Sequence, residues 1–391
     1  MKNMVTVMNE ETKKMLLEAE QFEINGEIDL TMVEALNKDL KKQILSVGNV
    51  SKNEVKTLVK QFYQIQDQRK ALSEQIRSIE IIYNDKDNDE SNSGKTKKEK
   101  KESCPEDSSV SLQILYYVLK NLTILENNIK KALEIVVNSS EVGKWLIQIN
   151  GIGPILAAGL IANFEVKGKE YSSQFISYAG LNDNNRPWLG KEKATKIVND
   201  IVGNSKEITD DMVIAISNKT QWKYSYLVAN AFDESKGKWN KSDLIKACSK
   251  IPYNAEVKKL MFLVGSSFQW LCNNKKSLYG RLFSERRALE TKKNEDGEYA
   301  AYAEKMLSEK KYDKNTDTYK CLSQGKLSKA HITMRALRYT EKIFLSHLFE
   351  EMYRVHYDEV PPRYYALVHS NGEHNKDIEP EVPYTKVSRE K

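Results

Sequence analysis

Ile147–Leu181, IQINGIGPILAAGLIANFEVKGKEYSSQFISYAGL, decides how the rest of the chain is read. Gly151 and Gly153 supply the free dihedrals of a tight turn. Pro154 suits the first turn of a helix, where its missing N–H leaves no bond unmade. Ala157, Ala158 and Gly159 are small enough to let another backbone come close. Together these residues predict a helix-hairpin-helix. Amides at the hairpin, around Gly151 and Gly153, and at the start of the second helix would seat a backbone phosphate. A glycine-containing turn between two core helices would carry the same residues. Alone, the stretch points to nucleic-acid backbone binding and to no chemistry.

Upstream lies the clearest helix, residues 52–83. Leu58, Phe62, Ile65, Leu72, Ile76, Ile79 and Tyr83 follow 4–3 spacing, with Arg69 at one seam position that should be apolar. Residues 110–137 repeat the pattern with Leu112, Leu115, Leu119, Leu122, Ile129, Leu133 and Val136, and Glu126 breaks it. Between them, residues 84–109 are charged and poor in apolar side chains, which predicts a mobile loop. The lysines at 95–101 could touch nucleic acid, though a solvated loop explains them as well. Folding the two helices back on one another pairs residues whose numbers total about 195, which sets Arg69 opposite Glu126. An antiparallel coiled-coil hairpin with an Arg69–Glu126 ion pair fixing its register is therefore expected.

Downstream, residues 191–202, 206–217 and 243–250 read as short helices, and 252–272 as a buried one. In the last, Val257, Leu260, Met261, Val264 and Phe268 form the apolar face, and Gly265 with Ser266 permits close packing. Residues 277–293 mix Arg281, Arg286 and Arg287 with Tyr279 and Phe283, a combination suited to nucleic-acid contact or to a solvated face. Residues 327–357 form the strongest functional candidate. His331, Arg335, Arg338 and Lys342 advance by four, three and four and share one face, just after Lys326 and Lys329. Leu337, Phe344, Leu348 and Met352 lie opposite. Like charges at this spacing repel unless a polyanion, or acids such as Glu341, answer them, and a phosphate-facing stripe is the favoured reading. The tail from Val360 is extended and proline-punctuated. Its Arg363, Tyr364 and Tyr365 are expected to cross the basic helix without forming a separate domain.

The 391 residues carry a net charge of +6, with only 8 prolines and 17 glycines, which favours long helices over many turns. Cys104, Cys248, Cys272 and Cys321 form no CxxC pair and read as reduced thiols of a cytoplasmic protein. All five histidines lie late in the chain, without HExxH-like spacing, so neither a metal nor a cofactor is implied. No signal peptide and no membrane-spanning run is apparent.

INGIGP, AAGLIA and SYAGL together resemble the helix-hairpin-helix core of the C-terminal domain of IS110-type transposases. PYNAEVKKLMFLVGSSF, SLYGRLFSERRALE, GEYAAYAEKML and LSKAHITMRALRYTEKIFLSHL are similar to a narrower transposase-related branch found in phages and microbial genomes. YQIQDQRKALSEQIRSIE resembles the arm of that branch. Arm, core and final basic helix are also similar in plan to Nop-domain proteins, which hold box C/D guide RNAs. The Tas proteins of tandem interspaced guide RNA systems join these traits. The resemblance, over roughly residues 55–83 and 112–380, is best to their nuclease-free type. It implies guide-RNA binding, a DNA target, RNA backbone contact through Arg335, Arg338 and Lys342, and a homodimer made through the arm.

The chain departs from the transposase pattern in two places. Residues 1–50 read as short helical fragments and are too short for an acidic metal-binding tetrad. Residues 182–194, after AGL, hold no serine nucleophile, and Trp188 and Lys191 stand there. The expected architecture is mainly α. It comprises a small N-terminal helical region (1–50), a coiled-coil hairpin (51–138) and a Nop-like, helix-hairpin-helix region (139–391). A degenerate or two-component transposase is the rival from the enzyme class, and a helical phage scaffold that binds nucleic acid is the third reading.

Overall fold

The computed structural model describes residues 50–86, 109–182, 188–205, 207–362 and 378–388. The expectations for residues 1–49, most of the 84–109 loop and Arg363, Tyr364 and Tyr365 fall outside them. The described residues are mainly helical, with one two-stranded ribbon. They divide into two units, one made of the described residues up to 147 with 153–163, the other of 148–152 with the described residues from 164 onward.

In the first unit, α1 (Lys52–Lys86) and α2 (Val110–Asn138) pack side by side. Their contacts run in opposite chain directions, since Tyr116 Oη donates to Glu80 at 2.7 Å while Arg69 meets Glu126. Arg69 Nε donates to Glu126 Oε2 at 2.5 Å, and Gln66 Nε2 donates to Oε1 at 3.0 Å. Burial alone would raise the Glu126 pKa; the hydrogen bonds from Arg69 and Gln66 and the Arg69 charge outweigh it and hold the carboxyl below its ordinary value. Phe62, Ile76, Leu112 and Leu133 are buried between these helices and their neighbours. After α3 (Glu141–Gln148), α4 (Pro154–Asn163) packs on both α1 and α2. Ala157, Ala158 and Leu160 of α4 are fully buried, as close backbone approach requires. This packing groups α3 and α4 with the arm, past the expected boundary at residue 138.

The second unit begins with α5 (Ser172–Tyr178), α6 (Gly190–Val202), α7 (Asp210–Thr220) and α8 (Tyr224–Ala231). A ribbon of β1 (Phe232–Asp233) and β2 (Lys238–Trp239), antiparallel, leads into α9 (Lys241–Ser249). Helices α6–α9 enclose their own core of Val198, Val213, Ile216, Trp222, Leu227 and Leu244. Then follow α10 (Ala255–Trp270), α11 (Leu278–Glu295), α12 (Ala300–Glu309), α13 (Asp317–Leu322) and α14 (Lys329–Tyr357).

Helix α14 is the axis of this unit, with α5, α10 and α11 packed on it. Leu337, Phe344, Leu348 and Met352 are buried, and so are Ala336, Thr340, Leu345 and Phe349, so more than one face is covered. Phe268 of α10 stacks on Tyr279 of α11 at 4.7 Å between centroids, and both meet Phe344 edge-on. Gly265 brings α10 against Leu337 and Glu341, where a Cβ would collide with the Glu341 carboxylate. The segment 378–388 lies on α14: Thr385 N–H and Oγ1 donate to the buried Glu351 at 2.9 and 2.6 Å. His347 is fixed between the Tyr279 hydroxyl and the Ile378 carbonyl, each at 2.8 Å.

Candidate nucleic-acid interface

The basic face of α14 is built around a carboxylate that the sequence reading did not single out. Glu290 of α11 is 0 % exposed. Its Oε2 accepts from Arg335 Nε at 2.6 Å and from the Tyr299 hydroxyl, and its Oε1 faces Arg286 Nη2 at 2.5 Å. The Arg335 guanidinium lies over the Tyr299 ring at 4.8 Å, and that of Arg286 over Tyr339 at 4.7 Å. Burial pushes the Glu290 pKa up, but the Tyr299 and Arg335 hydrogen bonds and the two arginine charges prevail and hold it low. One anion thus anchors two cations and leaves the cluster net positive.

Of the two answers expected for the stripe, a polyanion or local acids such as Glu341, the second is met at Arg335, by Glu290 and not by Glu341. Glu341 is 3 % exposed and faces α10, where burial pushes its pKa up to about 8 against the charges of Arg338 and Lys258. It is protonated at neutral pH and cannot serve as a surface counter-ion.

His331, Arg338 and Lys342 are half-buried along α14, and Arg338 Nε donates to the Met334 carbonyl at 3.3 Å. His331 stands edge-on to Tyr302 at 5.8 Å. Burial first, then the charges of Arg338, Arg335 and Lys310, lower its pKa, so the ring is neutral near pH 7. Lys326 and Lys329 are exposed at the start of α14. Ser328 caps the helix by accepting from His331 N–H at 3.4 Å. Asn294 of α11 bonds both polar groups of the Leu327 backbone, at 2.7 and 3.1 Å, which ties the residue after Lys326 to α11. Arg287 is exposed seven residues before Asn294, hence on the same side of α11, with its guanidinium 5.5 Å from the Phe283 ring centroid. Arg281 is exposed and stands 3.7 Å from Glu285. The geometry brings Arg286 and Arg335 together and leaves Arg287, Lys326 and Lys329 at the surface.

Next to the hairpin expected to seat a phosphate, a carboxylate from the same chain is bound. Glu381 Oε1 accepts from Asn150 N–H at 2.7 Å and from Asn150 Nδ2 at 2.6 Å, and its Oε2 accepts from Leu278 N–H at 2.7 Å. A carboxylate therefore takes the Asn150 amide, one residue before Gly151, and the first amide of α11. Gly151 has φ +96°, its carbonyl accepts from Ser267 Oγ at 2.5 Å, and a Cβ would stand 2.7 Å from that oxygen. Gly153 has no positive φ, and a Cβ there would meet nothing within 4 Å. Of the two glycines, Gly151 is the one the turn requires.

Glu290 carried a sequence signal, its i,i+4 spacing from Arg286. Glu381 carried none, because its partners lie 103 and 231 residues away. Among the described residues, no group of three or more His, Cys, Asp or Glu is placed to hold a metal, and no helix is long and apolar enough to cross a membrane. Comparison with protein-family models, curated proteins and solved structures found no match.

Proposed function

We propose that this chain binds a guide RNA and presents it for pairing with target DNA, without cutting the DNA itself. The observation that carries the reading is the pairing of two arginines, Arg286 of α11 and Arg335 of α14, on the single buried carboxylate of Glu290. Glu290 holds Arg286 and Arg335 in place, while Arg287, Lys326 and Lys329 offer exposed cations to phosphates. In such a complex, base pairing supplies the sequence information and the protein holds backbone and shape. In this reading α1–α2 is the coiled-coil arm, α3, the Gly151 turn and α4 are the helix-hairpin-helix, and α5–α14 complete the Nop-like region. The arm makes a homodimer: Val110, Ile114, Val118 and Leu125 form an exposed apolar stripe along α2 at helical spacing, which a second copy would cover.

The test is a salt titration of RNA affinity on the full chain. The variant Arg287→Ala with Lys326→Ala and Lys329→Ala should bind more weakly. Its log–log salt slope should fall by about 0.7–0.9 for each phosphate that is no longer neutralised. An unchanged slope and affinity would remove this face from the RNA site.

A further inference from the structure

A second feature of the same unit lies away from the arginine cluster. The turn at Asn150 and Gly151 and the last two turns of α10 enclose an open groove of about 490 Å³, walled by Leu263, Ser266, Ser267 and Trp270. Trp270 is 87 % exposed, although it is the largest side chain on the helix. Leu263 and Leu271 give the groove an apolar side, and Asn150, Ser266 and Ser267 a polar one. Ser267 Oγ bonds the Gly151 carbonyl, and Asn150 is held by Glu381 and by the Lys276 carbonyl. Lys275 and Lys276 follow immediately and are exposed. Among the described residues no carboxylate lines the groove itself, and Glu381 stands behind Asn150.

An indole face in water beside a cleft of mixed apolar and polar lining, with exposed lysines five and six residues further on, matches the needs of an unpaired nucleobase. The base stacks on the ring, and the lysines meet its phosphates. Both lysines follow the negative end of α10, which favours cations there and disfavours a phosphate seated in the groove itself. A flat neutral ring fits the groove better than an anion.

We infer that this groove holds an unstacked base of single-stranded nucleic acid on Trp270. The inference rests on the nucleic-acid reading above and names a second contact for it. The test uses the full-length protein, a fluorescein-labelled single-stranded oligouridine of about twelve nucleotides, anisotropy, and tryptophan emission. Trp188 is the other strongly exposed indole, so the comparison is made in a Trp188→Phe background. Wild-type Trp270 should be quenched on binding. Trp270→Ala should lose that quenching and weaken the oligonucleotide by about fivefold or more, and Trp270→Phe should recover part of the affinity. Because Trp270 is exposed, the variants should keep the helical circular-dichroism spectrum. Unchanged affinity and quenching in Trp270→Ala would overturn the groove. If the Arg287, Lys326 and Lys329 variant still lost RNA, the reading of the cationic face would stand. A change of mass by light scattering with unchanged oligonucleotide binding would assign the surface to a protein contact and also overturn the proposal. A wild-type chain that bound neither oligouridine nor structured RNA would refute both.

Discussion

Replacing Glu290 tests how the cationic face is built. Glu290→Gln keeps the shape and one acceptor oxygen but removes the charge that Arg286 and Arg335 share. Breaking a buried ion pair on one side costs about 3–5 kcal/mol, because the partner is left uncompensated. Here the two guanidinium groups keep 29 % and 31 % of their side-chain exposure, and water recovers part of that cost. The expected loss is about 2–4 kcal/mol near pH 7, read as the shift in urea midpoint at constant m. The pH dependence supplies an internal control. The folded pKa of Glu290 lies below its unfolded value, so its contribution is present above about pH 4.3 and fades as pH falls through the folded pKa. Wild type and Glu290→Gln should therefore differ by a constant amount from pH 5 to 8 and converge in acid. Replacing Glu290, Arg286 and Arg335 together by apolar residues should cost less than Glu290→Gln alone, since no orphan charge remains. Equal stability at pH 7, or a difference that persists in acid, would refute the account of the cluster.

Three further outcomes follow from individual contacts. In the arm, Arg69→Ala and Glu126→Ala should show a coupling of about 1 kcal/mol in a double-mutant cycle, because the pair is partly buried and hydrogen-bonded. A coupling near zero would contradict the ion pair. Glu341→Gln should bring little change at pH 5 and growing relative stability as pH rises toward 8. The wild-type folded state holds a proton there that the unfolded chain releases, so its stability falls by up to about 1.4 kcal/mol per pH unit; thermal scans across that range read the effect, and parallel curves for the two proteins would contradict it. Gly151→Ala should destabilise by about 1–3 kcal/mol, from a strained φ and the contact with Ser267, whereas Gly153→Ala should be nearly neutral. Equal urea midpoints for the two alanine variants would count against the turn geometry.

The helices carried by strong periodicity were legible from the chain. Residues 52–83 and 110–137 stand as 52–86 and 110–138, and the long final helix begins at Lys329, within two residues of its expected start. The apolar residues named for α10 and for the core side of α14 are buried. Weakly patterned segments were missed. Helices α8, α12 and α13 and the β1–β2 ribbon are short, and their cores come from partners distant in sequence. Helix α7 begins later than expected, at Asp210, because Thr209 caps it by accepting from Met212 N–H. At the candidate site, spacing placed His331, Arg335, Arg338 and Lys342 on one face, a local property of one helix. The partner of Arg335 is a tertiary matter, for Glu290 lies 45 residues earlier and meets it only when α11 packs on α14. The bond from the Asn150 amide to Glu381 is of the same kind.

The proposed function requires that this protein carries RNA. The measurement is to purify the full chain at low salt, extract what remains bound, and sequence it, beside the Arg287→Ala, Lys326→Ala, Lys329→Ala variant. The account predicts a discrete set of short RNAs on the wild-type protein, reduced on the variant and released by raised salt. A folded wild-type chain that comes away free of nucleic acid, or one that retains RNA equally with the variant at every salt concentration, would contradict it.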